Sequence, residues 1–147
     1  CNLTGLSMCA HNGTHVDAPF HFINGAKTIE QVPLEKFIGP CFVVDHEGIV
    51  SAEDAQNFLQ KAKTQNPESS KGIFLVGNES QTVGPEDAPM EVHLILLGAE
   101  IVLLEGIRLA QVPEGVYFLN AAPINLGGAD GAPCRAILIE KNYVSSV

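Results

Sequence analysis

Residues 11 to 22 read His-Asn-Gly-Thr-His-Val-Asp-Ala-Pro-Phe-His-Phe. Three of the five histidines of the chain, His11, His15 and His21, fall in this stretch beside Asp17. All four occupy odd positions. In an extended segment alternate side chains share a face, so His11, His15 and Asp17 can converge on one point. Pro19 bends the path and brings His21 near them. A helix is disfavoured here, because Gly13, Thr14, Val16 and Pro19 are poor helix residues. Imidazoles with a carboxylate suit zinc, manganese or iron(II), and do not resemble a thiolate structural zinc site. The competing reading makes these histidines surface groups or hydrogen-bonded polar groups. So many ligand-type residues of one parity, in a chain otherwise poor in histidine, favour metal ligation.

The chain that must position them has 147 residues, enough for one domain with a real core. Apolar residues make up 46%, an ordinary globular composition. A formal net charge of −9 argues against nucleic acid or an anionic membrane as partner. No apolar run reaches membrane-span length, and Cys1-Asn2-Leu3-Thr4 lacks a basic leader segment. Cys1, Cys9, Cys41 and Cys134 show no Cys-x2-Cys spacing, so reduced and mostly buried thiols in a cytoplasmic protein are expected. Cys9 shares the parity of His11 but is expected to pack rather than ligate. The reading is one domain over residues 1–147.

Periodicity and turn signals divide the rest. Asn24-Gly25 marks a turn, and Phe37–Asp45 reads as a buried strand. Asp45–Gly48 reads as a turn that leaves His46 on the surface. Ser51 and Asp54 form a capping box that opens a helix to about Lys63, with Ala55, Phe58, Leu59 and Ala62 as its apolar stripe. Thr64–Lys71 should be an exposed loop, Ile73–Val76 a short strand and Pro85–Pro89 a loop. Met90–Gly98 looks helical and carries His93. Glu100–Glu105 reads as a strand, Gly106–Ala110 as a helical turn, and Val116–Ala121 and Pro123–Leu126 as strands. Gly127–Pro133 reads as hairpin geometry before the strand Cys134–Glu140, without the strand-to-helix spacing of a phosphate loop.

The stretch from His11 to Phe22 resembles, at every fixed position, the His-x-Gly-Thr-His-x-Asp-x-Pro-x-His-Phe signature of the cyclase family of metal-dependent hydrolases. That family includes kynurenine formamidase and isatin hydrolase, and the resemblance implies either a short variant or residues missing before the signature and a segment missing near 70–72. The resemblance extends through Leu-Leu-Gly and Leu-Glu-Gly around residues 96–106 to Gly-Ala-Asp-Gly-Ala-Pro-Cys-Arg at 128–135. It implies an α/β fold, a mixed, barrel-like swivelling β/β/α arrangement with flanking helices, assembled as a homodimer or homotetramer. By local pattern His93 fits a hydrogen-bonded core histidine, and Glu105 fits the exposed end of a strand. A buried carboxylate, however, needs a partner. The resemblance implies both as metal ligands, with Asp17 and Glu105 bridging two ions, His11 and His15 on one, and His93 on the other. It therefore implies one or two divalent ions per chain, zinc or manganese. His21 is implied as the general acid/base, with a hydrogen bond to Asp17 as its alternative role. The implied reaction is hydrolysis of a small non-peptide amide, linear or cyclic, such as a formamide. A non-catalytic metal- or ligand-binding module on the same frame is the alternative. The only arginines, Arg108 and Arg135, do not declare themselves as a substrate clamp.

Overall fold

The middle strand of a three-stranded antiparallel sheet, β1 (His15–Asp17), lies between β4 (Leu103–Glu105) and β6 (Gly131–Pro133). This computed structural model describes residues 1–46, 48–65, 73–77, 83–85, 87 and 89–140. A second sheet takes the order β3 (Ile73–Gly77), β2 (Ile38–Asp45), β5 (Gly115–Asn120), β7 (Ile137–Glu140). Here β2 runs parallel to β3 and antiparallel to β5, so the sheet is mixed.

The two-residue alternation of the strands sorts the core into two layers. Val16 of β1 stands opposite Leu104 and Ala132, and all three join Cys41, Val43 and Leu119 of the second sheet in one buried cluster. The intervening residues of β2, Phe42 and Val44, face the other way. They pack with Ala55 and Phe58 of α1 (Ala52–Gln65) and with Val92, Leu96 and Leu97 of α2 (Pro89–Gly98). Sheet on sheet thus buries one face of β2, and helices bury the other.

The capping box at Ser51 forms as its sequence specifies: Asp54 N–H donates to Ser51 Oγ at 3.1 Å, and Ser51 N–H donates to Asp54 Oδ2 at 2.9 Å. At the other end α1 runs to Gln65, past Lys63, and the expected loop beyond it lies outside the described residues from 66 to 72. Residues 78–82, 86 and 88 of the link to α2, and position 47 of the turn after β2, lie outside them as well. Among the described residues no helix is long and apolar enough to cross a membrane.

Four expectations need correction. The strand expected over Glu100–Glu105 begins only at Leu103, because α2 closes with Glu100 in the left-handed region (φ 57°) and Ile101 N–H bonded back to the Leu96 carbonyl. No helical turn follows at 106–110, since Gly106 is left-handed (φ 65°) and a single turn closes later, from Val112 N–H to the Leu109 carbonyl. Pro123–Leu126 makes one isolated bridge, Pro123 to Cys134, and then turns, with Leu126 N–H bonded to the Ile124 carbonyl. Lastly, the hairpin expected over Gly127–Pro133 ends in β6, and the strand expected over Cys134–Glu140 is cut short. A strand cannot keep pairing with β1 and also reach β5, so the chain changes sheets between Pro133 and Ile137.

Among the cysteines Cys41 is buried and Cys134 half-buried, but Cys1 and Cys9 are exposed, against the expectation of mostly buried thiols. All four are free. Cys9 is therefore not packed as expected.

Candidate metal centre

In the β1–β4 ladder His15 stands directly opposite Glu105, and Asp17 opposite Leu103. Directly opposed residues share a face, so the ladder register alone puts His15, Asp17 and Glu105 on one side of the sheet. That side points away from the Val16 layer and lies beneath α2, which lowers His93 onto it. All four polar residues are buried, Asp17 completely.

His11 and His21 arrive by other means. The extended run covers only residues 15–17. A turn closed by Asn12 N–H to the Cys9 carbonyl, followed by left-handed Gly13 (φ 65°), folds His11 back over β1. Its Nδ1 meets Asp17 Oδ1 at 2.8 Å. A 3-10 turn over Pro19–His21 returns the His21 ring to stack on His11, with centroids 4.0 Å apart. Parity therefore explains His15 and Asp17, whereas turns explain the other two.

Two glycines make room for this. Gly131 lies opposite Asp17, and a β-carbon there would sit 2.8 Å from His11 Cε1 and from the Val16 carbonyl oxygen. A β-carbon on Gly106 would strike the Gly13 carbonyl. Thr14 Oγ1 donates to the Gly106 carbonyl at 2.8 Å and clamps the same crossing. Gly131→Ala is therefore expected to displace the His11 ring and weaken metal binding about 10- to 100-fold, the usual cost of disturbing a ligand's support. Calorimetric titration of the metal-stripped variant with zinc checks this, and unchanged affinity would remove His11 from the site.

The donors aim inward. His15 Nδ1–H donates to the Gly13 carbonyl at 2.9 Å, which turns Nε2 toward Asp17 Oδ1 at 3.3 Å and Glu105 Oε2 at 3.5 Å. His93 Nε2 lies 3.4 Å from Glu105 Oε1 and 3.7 Å from Asp17 Oδ2. Val83 N–H holds Glu105 Oε1 at 3.0 Å. Ligand-type atoms meet within 4.8 Å of one another in two groups, His11–Asp17–His21 and His15–Asp17–Glu105. Asp17 belongs to both. The grouping pairs His11 with His21 rather than with His15, and His93 faces the two acids from above.

The chemistry of the donors fits a divalent cation. Asp17 Oδ2 is buried with no hydrogen-bond partner. Leaving a buried carboxylate oxygen unsatisfied is costly, and a cation would satisfy it. Burial resists charge on Glu105, yet the bonds from His15 and His93 overcome it and hold its carboxyl down at about 2. Burial likewise opposes the charged form of His15, but Asp17 and Glu105 raise it to about 10. For Asp17, burial works against ionisation, and His11 and His15 still pull it below the usual carboxylate range. The raised imidazoles and lowered carboxyls thus favour paired opposite charges in this cluster.

One polar neighbour of the histidines escaped the sequence reading. Asp130 Oδ2 accepts from His21 Nδ1–H at 3.1 Å and lies 3.1 Å from His11 Nε2. An acid between alanine and glycine reads locally as a turn residue, and only the contact across the fold sets it apart. His46 stays away from the cluster, half-buried with its ring 5.3 Å from Phe58. A cavity of about 360 Å³ containing Arg108 and Arg135 lies on the Thr14 and Leu104 side of the ladder, behind the ligand face.

A family profile described as "Putative cyclase" matches residues 4–91. A kynurenine formamidase from Salinibacter ruber is 33% identical over 168 residues, which takes in 93% of this chain and 79% of that protein. Another, from Bacillus cereus (strain ATCC 10987), is 31% identical over 166 residues, with 93% and 79% covered. Among solved structures, one described as a "Potential Metal-Dependent Hydrolase With Cyclase Activity" superposes with a TM-score of 0.68 at 28% identity, over 90% of this chain and 80% of that one. Isatin hydrolase A from Labrenzia aggregata shares the fold, with a TM-score of 0.63 at 20% identity, over 92% and 75% of the two chains. The α/β architecture that the histidine signature implied is therefore the one observed, and the chain belongs to the cyclase family of metal-dependent hydrolases.

Proposed function

We propose that this chain hydrolyses a small non-peptide amide, a formamide such as N-formylkynurenine or a related linear or cyclic amide. One observation carries the reading: a fully buried Asp17 whose Oδ2 lacks a hydrogen-bond partner, at the meeting point of His11, His15 and His93. Relatives named kynurenine formamidase support the substrate class. In this reading residues 1–147 act as one catalytic domain. His11, His15, Asp17, His93 and Glu105 hold one or two ions, zinc or manganese, which imidazole and carboxylate donors suit. When bound, such an ion polarises a carbonyl and lowers the pKa of water to roughly 7. His21 takes the proton from the attacking water and returns it to the leaving nitrogen. Glu105 is braced for its part by Val83 N–H, and His15 by the Gly13 carbonyl.

The test is a panel of formamides and cyclic amides offered to the zinc- and manganese-loaded protein. Turnover that stops with chelator and returns with metal is expected. A filled site that turns over none of them would overturn the substrate reading.

Metal binding must displace the proton on His15 Nε2, whose affinity for it is raised to about 10. Between about pH 6 and 8 each displaced proton makes the apparent metal affinity rise about tenfold per pH unit, so affinity falls as the solution is acidified. Calorimetry in buffers of different ionisation enthalpy counts the released protons. Affinity that does not change with pH would mean that His15 is not a ligand.

Assembly into a homodimer or homotetramer is part of the same proposal. Its support is the exposed Ile137 and Ile139 on β7, an outer strand of the described sheet. Sizing chromatography with light scattering should give two or four chains, and a strict monomer would refute it. Free thiols agree with a reducing compartment, the cytoplasm.

A further inference from the structure

The His21 ring is held by its faces. It stacks on His11 at an interplanar angle of 27°, and Phe22 meets it edge-on at 4.4 Å. Stacking fixes the plane of an imidazole but not which of its nitrogens occupies which edge. A half-turn about the bond to the ring exchanges the two edges and leaves both stacking contacts in place. A general acid/base needs that choice made, because only the nitrogen without a hydrogen can take a proton.

Asp130 makes the choice. Its Oδ2 lies 3.1 Å from His21 Nδ1, and a carboxylate can only accept, so Nδ1 carries the hydrogen and Nε2 the lone pair. Among the described residues the ion-pair partners of this carboxylate are His21 and His11, both of the signature stretch. The loop that bears it is anchored without it. Ala18 N–H donates to the Asp130 carbonyl and Ile29 N–H to the Ala129 carbonyl, each at 2.9 Å. Ala129 packs against the apolar layer between the sheets. These backbone bonds and the packing of Ala129 hold the loop, and the side-chain contacts of the carboxylate are with the histidines.

We infer that Asp130 is a positioning residue, whose carboxylate accepts the Nδ1 hydrogen of His21 and so leaves Nε2 as the proton-transferring nitrogen. The inference rests on the catalytic role proposed for His21, but its structural half can be read without any substrate.

The test uses the intact chain, zinc-loaded and metal-free, with Asp130→Ala and Asp130→Asn. Nitrogen-15 spectra of the imidazoles at about pH 8.5 identify the neutral tautomers. The His21 signals are assigned by their loss in His21→Gln. The parent should show His21 hydrogenated at Nδ1, and Asp130→Ala should move it toward the Nε2-hydrogenated form. Asp130→Asn, whose amide oxygen still accepts, should restore the parent tautomer. Metal per chain, measured by elemental analysis, should be the same in all three. On the formamide that the parent turns over best, Asp130→Ala should lower kcat about 10- to 100-fold with KM within about twofold. Asp130→Asn should recover part of the loss.

A parent His21 hydrogenated at Nε2, or a tautomer indifferent to Asp130→Ala, would overturn the inference. Loss of metal in Asp130→Ala with the His21 tautomer unchanged would overturn it too, by making the contact with His11 the one that matters. If the tautomer responds as stated but no amide is turned over by the parent, the positioning contact stands and the proposed substrate class fails.

Discussion

Asp17→Asn is expected to leave the protein without bound metal. The parent, purified without added metal, should carry about one or two divalent ions per chain and the variant far fewer, an affinity loss of more than about 100-fold. The size of the effect follows from geometry. Asp17 is the one residue shared by both groups of converging donors. Its Oδ1 lies 2.8 Å from His11 Nδ1 and 3.3 Å from His15 Nε2, and its Oδ2 awaits a partner. Asparagine keeps the volume and removes the charge, so a cation loses its central anion while the strand keeps its shape. Glu105 still pairs with His15 and His93, which should keep the metal-free variant folded. Elemental analysis gives the metal content and circular dichroism checks the fold. A folded variant with metal at the parental level would show that Asp17 is not a ligand and return the cluster to a purely structural role.

His21→Ala has the second large effect, on turnover rather than on metal. Removing a general acid/base is expected to lower kcat about 10²- to 10⁴-fold. The metal content should stay at the parental level, because His15, Asp17, His93 and Glu105 keep their mutual contacts. Equal turnover would sink the catalytic role. Loss of both metal and turnover would make His21 a ligand, a reading that its place beside His11 and Asp17 keeps open to experiment. Read with Asp17→Asn, the variant separates residues that hold the ion from the residue that moves the proton.

Legibility in the sequence followed the range of the interaction. The Ser51–Asp54 cap and the helix after it were readable because every contact that decides them lies within one turn. The strands β2 and β5 were readable because short β-branched and aromatic runs declare themselves. Where a strand had to stop in order to change sheets, as after Pro133, local pattern read straight on. The convergence of His15 and Asp17 followed from strand alternation. That of His11 and His21 did not, since it depends on left-handed Gly13 and on the turn at Pro19.

The sequence by itself determined which donors are available and what they prefer to bind. Imidazole and carboxylate chemistry belongs to the residue types, and the signature carrying four of the six proposed site residues is contiguous. It also determined that His93 and Glu105 lie on an apolar helix and at a strand end, without saying that they meet. Only the tertiary structure decided that they do, through the β1–β4 register and the packing of α2 over it. Only the tertiary structure, too, brought Asp130 to His21 across 109 residues. Ladder register, sheet exchange and loop docking are set by burial and hydrogen bonding between distant segments, and local periodicity carries no information about them.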